Sequence, residues 1–331
     1  MREFIEQKKN TKSNAGLFFL AVVIVVGFRV SAFFYSQQTF AVDLPILSLL
    51  GVKVPFLPVV YAVGLNALLA IGFVFLFQLS VLKYSLLRTR SLLPFFFALI
   101  LSNLNPNISG ANLSYILSLG LLIVYLRLFD CYDLEDLPLK AFDLSVWMGF
   151  LCLLDIRLVC LMPVFWYVLI SYRAFSAKVF MASIFGLTTA FGLLFISLVV
   201  AGKELSSMFP IFREMTEIDR QFFSPRTIAR MVYLGTIFVT CFISYLNLKN
   251  NIDGVRVRVI MGSLRVALIC TNMLSALLFP SSELLLAATI VPMALLLGYL
   301  FSSVSGWAYK LLFLVFISAV VTNFVFLLWK Y

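Results

Sequence analysis

Apolar residues along this chain do not alternate with polar ones; they come in runs. Eleven stretches are dominated by Leu, Phe, Val, Ile and Ala: 16–35, 57–82, 91–106, 111–129, 140–155, 157–172, 179–201, 227–247, 257–279, 282–303 and 310–329. A membrane strand would need about ten residues with every second side chain apolar. The unbroken runs therefore predict helices, and the fold class read from them is all-α: a polytopic transmembrane helix bundle, one domain over 1–331. The runs 91–106 and 140–155 fall short of the about 20 residues of a full span. Counted as broken or re-entrant, they bring eleven spans down to nine.

The connections carry the orientation. Arg2, Lys8, Lys9 and Lys12 precede the first run, Lys83, Arg88 and Arg90 follow the second, and Arg173, Lys178, Lys249, Arg256 and Arg258 fall in later alternate loops. Basic residues stay on the cytoplasmic side, so the N-terminus is expected inside. The loop 202–226 runs against the rule with Lys203, Arg213, Arg220 and Arg226, which Glu204, Glu214, Glu217 and Asp219 offset. The first run has the charge layout of a signal peptide, but ten further runs follow it, and the reading is an uncleaved first helix.

Two outer connections have patterns of their own. Residues 44–57 are apolar, too short to span, and punctuated by Pro45, Gly51 and Pro55, which predicts a segment lying in or dipping into the interface. In 208–223, Met208, Ile211, Phe212, Met215, Ile218 and Phe222 recur at helical spacing, with Arg213, Glu214, Glu217, Arg220 and Gln221 mostly opposite. The outer loop 202–226 is thus expected to hold an amphipathic helix lying on the membrane surface; the alternative is a plain connector.

Composition narrows the chemistry. Of 331 residues, 63% are apolar and 12% charged, with a mean hydropathy of +1.06, against about 45–50% and about 25% in soluble domains. Lipid must replace water over most of such a surface, which excludes a cytosolic enzyme and a disordered chain. The net charge of +10 is spread over short loops, as anionic headgroups require, so membrane lipids are expected partners and nucleic acid is not. There is no His, hence no histidine base, and no G-x-x-x-x-G-K-[ST] loop. Cys131, Cys152, Cys160, Cys241 and Cys270 are scattered and read as buried thiols. No metal site and no cofactor is expected.

Charges near membrane depth are costly and are the first place to look for a site. Arg29, Asp43, Asp155, Arg157, Arg226, Arg230 and Glu283 all fall at the expected outer side. Gathered into one cavity, Arg29, Arg157, Arg226 and Arg230 would hold phosphate, which the guanidinium fork suits. Asp43, Asp155 or Glu283 would serve as base. The alternative for each is an interfacial side chain or a local pair, such as Asp155 with Arg157. On the inner side, residues 130–143 hold Asp130, Asp133, Glu135, Asp136 and Asp143. They read as a solvated loop or partner-docking segment, with a divalent cation as the sharper alternative. The tryptophans mostly suit an interfacial belt.

Residues 90–106 (RSLLPFFFALILSNLNP) and 142–189 place a basic loop, a Pro-interrupted short helix, an N-P turn, an F-D-x-S-x-W-x-G helix and a basic R-x-F turn in order. This layout resembles an uncharacterised family of polytopic inner-membrane proteins from Bacteroidetes-type bacteria, over about the middle third of the chain. More distantly it is similar to the membrane module of GT-C glycosyltransferases, which transfer sugar from a polyprenyl-phosphate donor at the outer leaflet. That resemblance implies a bacterial inner-membrane location, a polyprenyl-phosphate glycolipid as ligand and a carboxylate in the first outer loop, where Asp43 is the acidic residue. The turn at 103–107, where such enzymes often carry a second carboxylate, has none. Three functions follow as expectations: handling of a lipid-linked sugar in envelope glycan assembly, a non-catalytic subunit docking a partner through 130–143, or a transporter or lipid flippase built on the broken helices near 106 and 155.

Overall fold

The computed structural model describes residues 59–86, 92–102, 113–132, 135–202, 255–274, 283–303 and 313–318, with the single positions 23, 235, 239, 243 and 321. Within them the chain is all-α. The helices are α1 (Val59–Lys83), α2 (Leu93–Ser102), α3 (Leu113–Asp130), α4 (Leu137–Leu154), α5 (Met162–Ser171), α6 (Ala177–Val200), α7 (Val255–Met273) and α8 (Glu283–Ser303), with a 3₁₀ segment, Ile156–Leu161, between α4 and α5. Two of them, α4 and α6, are long and apolar enough to cross a membrane by length and composition. The expected spans 16–35, 227–247 and 310–329 fall wholly or largely outside the described residues, as do the segments 44–57 and 208–223.

Helix ends follow local chemistry. Ser176, in an extended conformation, caps α6 by accepting the Val179 N–H at 3.3 Å. Proline stands in the first turn of both α4 and α5, where its missing N–H costs nothing. Two helices end in a left-handed residue that is not glycine. Ser85 (φ 48°) closes α1, with the Leu86 N–H returning to the Val81 carbonyl at 3.2 Å. Arg173 (φ 58°) closes α5, with Ala174 returning to Leu169 at 3.0 Å.

Two expectations change. The run 140–155 is not short: α4 begins at Leu137, behind Pro138, and reaches 18 residues. Lys140 and Asp143 therefore lie on the helix, not in a loop. The run 157–172 is not one α-helix; it starts as 3₁₀ and becomes α-helical only at Met162.

The exposed and buried faces are both apolar. On α6 the outward residues include Phe185, Leu193, Phe195, Ile196 and Val200, the last 82% exposed. The inward ones are Val179, Ser183, Gly186, Ala190, Leu194 and Leu198. Ser183, Gly186 and Ala190 are inside while large apolar side chains cover the outer face, which suits a surrounding of hydrocarbon rather than water. On α1, Leu68, Ile71, Phe75 and Leu79 point out, while Phe73, Val74 and Phe77 point in. These faces and the two membrane-length helices indicate membrane association.

Close approach depends on small residues. A Cβ on Gly186 would run into the Phe142 carbonyl oxygen and lie 3.0 Å from the Ser145 Cβ. A Cβ on Gly149 would lie 2.6 Å from the Ala190 Cβ, so α4 and α6 meet backbone to backbone. The centre of the bundle is α8, which lies against α2, α3 and α7. Every residue from Ala287 to Leu300 on it is buried. Gly298 fits against Pro94 of α2, whose Cα would be 2.9 Å from an added Cβ. Pro292 within α8 lacks the N–H that would bond the Ala288 carbonyl.

Candidate functional site

Contacts between helix ends give the bundle two poles. Tyr84 at the end of α1 reaches Asp130 at the end of α3, Lys140 at the start of α4 reaches Asp130, and Arg256 at the start of α7 lies over Tyr132. Tyr132 in turn meets Tyr172 at the end of α5. With Lys83, Arg127, Arg173, Lys178 and Arg258 on the same helix ends, this is the basic pole. The opposite pole holds the α4–α5 turn. It also holds the start of α8, because Ser118, near the start of α3, donates to the Ala287 carbonyl at 3.4 Å.

Three of the seven predicted site residues belong to that opposite pole: Asp155, Arg157 and, by its backbone position, Glu283 at the first residue of α8. Arg29, Asp43, Arg226 and Arg230 lie outside the described residues. Asp155 ends α4 in an extended conformation (φ −147°) and at once caps the 3₁₀ segment, its Oδ1 accepting the Arg157 N–H at 3.0 Å. Both residues are half-buried. What joins the two residues is a bond from the Arg157 backbone N–H to the carboxylate. Chemically, this bond fixes the direction of the turn and sets a negative and a positive side chain two residues apart at a helix junction. Cys152 and Cys160 lie within electrostatic reach of the Asp155 carboxylate.

Reading the sequence missed the polar network of the basic pole. The Tyr84 hydroxyl donates to Asp130 Oδ1 at 2.6 Å, with the Leu126 carbonyl at 3.2 Å and Lys83 Nζ donating to the same hydroxyl at 3.3 Å. Lys140 Nζ donates to the Asp130 carbonyl at 3.2 Å. Lys83 also stands 3.9 Å from Asp130, but it is 68% exposed, so the ion pair adds little. Burial first, then the bond to Asp130 and its charge, push the Tyr84 phenol well above its ordinary range. Burial pushes the Cys131 thiol up to about 12. On the α7 side, the Tyr172 and Ser263 hydroxyls share a bond of 3.2 Å. The available signal was a tyrosine and an aspartate each closing an apolar run beside a basic residue.

The segment 130–143 is thereby divided. Asp130 is tied into the bundle, Glu135 and Asp136 are exposed, and Asp143 is on α4. Among the described residues no three carboxylates or thiols group as a metal site, and the divalent-cation alternative has no support there. Trp166 is half-buried; its indole N–H donates to Ser183 Oγ at 2.9 Å and its ring meets Phe180 edge-on. Arg265, well inside α7, turns its Nε to the Met261 carbonyl of its own helix at 3.4 Å.

Against known proteins, no family model, no curated protein and no solved structure matches the chain.

Proposed function

We propose that the chain is a multi-pass protein of a bacterial inner membrane, with its basic pole in the cytoplasm, that handles a polyprenyl-phosphate-linked sugar at the outer leaflet on a GT-C-like scaffold. The apolar outward faces of α1 and α6 support residence in the bilayer, and the grouping of Lys and Arg at one pole supports the orientation. The observation that carries the functional reading is the Asp155–Arg157 turn, which sets a half-buried carboxylate and an arginine two residues apart on the non-basic pole with the start of α8. In this reading Arg157, with Arg29, Arg226 and Arg230, neutralises the phosphate, and Asp43 or Asp155 orients or deprotonates the acceptor hydroxyl. Glu283 is the further candidate base.

A second reading, a non-catalytic subunit of an envelope assembly complex, is favoured by one feature. The Asp155 carboxylate serves as a helix cap, a structural duty, while exposed Glu135 and Asp136 are offered to a partner at the basic pole. Chromosomal Asp43→Asn, Asp155→Asn and Arg157→Gln variants separate the two. The first reading expects a lipid-linked saccharide to accumulate in cells carrying them. Unchanged glycan assembly in all three overturns it, and a copurifying protein lost on replacing Glu135 and Asp136 by Lys would then carry the second.

A further inference from the structure

Asn272 is a buried amide to which nothing among the described residues bonds. The residue is 5% exposed, and neither its Oδ1 nor its Nδ2 has a hydrogen-bond partner. Its buried neighbours on α7 are treated differently: Thr271 gives its proton to the Ala267 or Leu268 carbonyl, and Ser263 bonds Ile260. A hydroxyl can be satisfied within its own helix, whereas an amide has two donors and an acceptor to place. Leaving such a group buried and unbonded is costly, and orphan groups of this kind call for an occupant or a role.

Its position gives the occupant's surroundings. α7 starts at the basic pole, where Arg256 lies over Tyr132, and Ser263 meets Tyr172 at the foot of α5. From Ser263 to Asn272 the helix climbs about 13 Å, at 1.5 Å per residue. Retracing α5 from Tyr172 to Met162 covers about 15 Å by the same rise. Asn272 therefore stands at the level where the 3₁₀ segment passes into α5, on a helix that contacts both. Arg157 is the second residue of that segment, toward its far end. Two residues beyond Asn272, at Leu274, α7 ends in a π-turn, a distortion that is frequent at functional sites.

We propose that Asn272 is a substrate-binding residue whose amide hydrogen-bonds a hydroxyl of the sugar carried on polyprenyl phosphate. A neutral group that both donates and accepts matches a hydroxyl, which does the same; the phosphate is better matched by Arg157. The proposal rests on the lipid-linked-sugar reading above and adds the residue that distinguishes the glycosylated from the bare carrier.

The test uses the full chain in nanodiscs, with polyprenyl phosphate and polyprenyl-phosphate-linked glucose as probes, and measures binding of each by native mass spectrometry. The wild type is expected to bind the glucose-bearing lipid more tightly than the bare one. Asn272→Leu, close in shape and without polar atoms, is expected to lose about tenfold on the glucose-bearing lipid, the worth of a hydrogen bond or two, and nothing on the bare one. A wild type that binds bare carrier but gains nothing from glucose overturns the proposal and leaves the reading of the Arg157 turn standing. This comparison holds even where the Leu variant fails to fold, and Asn272→Ala gives a second variant. An Asn272→Leu protein that keeps its preference for glucose also overturns it, leaving the amide as a water site. Binding of neither lipid overturns both the proposal and the reading it rests on.

Discussion

The α4–α6 contact makes a quantitative demand on Gly186. No carbon can be added there without meeting backbone: the new methyl would collide with the Phe142 carbonyl and stand 3.1 Å from the Val146 nitrogen as well as 3.0 Å from the Ser145 Cβ. Backbone cannot swing aside as a leucine tip can, so the two helices must separate. Overpacking of this kind costs about 1–3 kcal/mol, which outweighs the about 0.5–1 kcal/mol that alanine gains over glycine within a helix. Gly192, on the same helix, has no heavy atom within 4 Å of an added Cβ, and Gly72 on α1 has none either. Gly186→Ala is therefore expected to lower the unfolding midpoint in detergent, while Gly192→Ala and Gly72→Ala leave it unchanged or raise it. Tryptophan fluorescence is a suitable readout, because Trp166 is bonded to Ser183, one turn from Gly186. A Gly186→Ala midpoint equal to or above the wild type, or equal losses in all three variants, would refute the close-approach argument.

Three further outcomes follow from the basic pole. Tyr84→Phe removes the donor to Asp130 and is expected to destabilise by about 1–2 kcal/mol, read in the same unfolding assay; a neutral effect would mean the network is idle. Ser85→Gly relieves a left-handed serine at the end of α1 and is expected to stabilise by about 1 kcal/mol; a loss would contradict the helix-end geometry. With its thiol pushed up to about 12, Cys131 is expected to resist maleimide at pH 8 in the folded protein and to react on unfolding. Because the folded value lies above the ordinary 9.0, the thiol has no effect on stability at neutral pH and lowers it as pH rises from about 9 to about 12. Ready labelling of the native protein at pH 8 would count against its burial.

The helical class and the approximate course of α1, α3, α6, α7 and α8 were legible because apolar runs bounded by Lys, Arg or Asp leave little choice. Finer features were not. Leu137 begins α4 inside what reads as an acidic loop, because Pro138 can open a helix as readily as break one. IRLVCL carries no mark of a 3₁₀ segment beyond the aspartate before it. Which face of α6 turns inward could not be read from polarity, since Phe185 and Leu194 are equally apolar and only the spacing of Ser183, Gly186 and Ala190 tells them apart. Asp155 and Arg157 are neighbours in sequence, but the bond between them runs to the Arg157 backbone N–H, which their charges did not announce. The Tyr84–Asp130 bond joins residues 46 apart in the sequence, and only the parallel meeting of α1 and α3, C-terminal end to C-terminal end, brings them together. The same limit hid Asn272, whose unbonded amide is a property of its surroundings.

The central claim is that the basic pole faces the cytoplasm and the Asp155–Arg157 turn faces away from it across a bilayer. Single cysteines placed at Arg157 and at Arg173 in a cysteine-free background, and labelled in intact spheroplasts with a membrane-impermeant maleimide, test it directly. The account predicts reaction at 157 without permeabilisation and at 173 only after it. Reaction at 173 from outside, or at both positions equally in sealed cells, would contradict it.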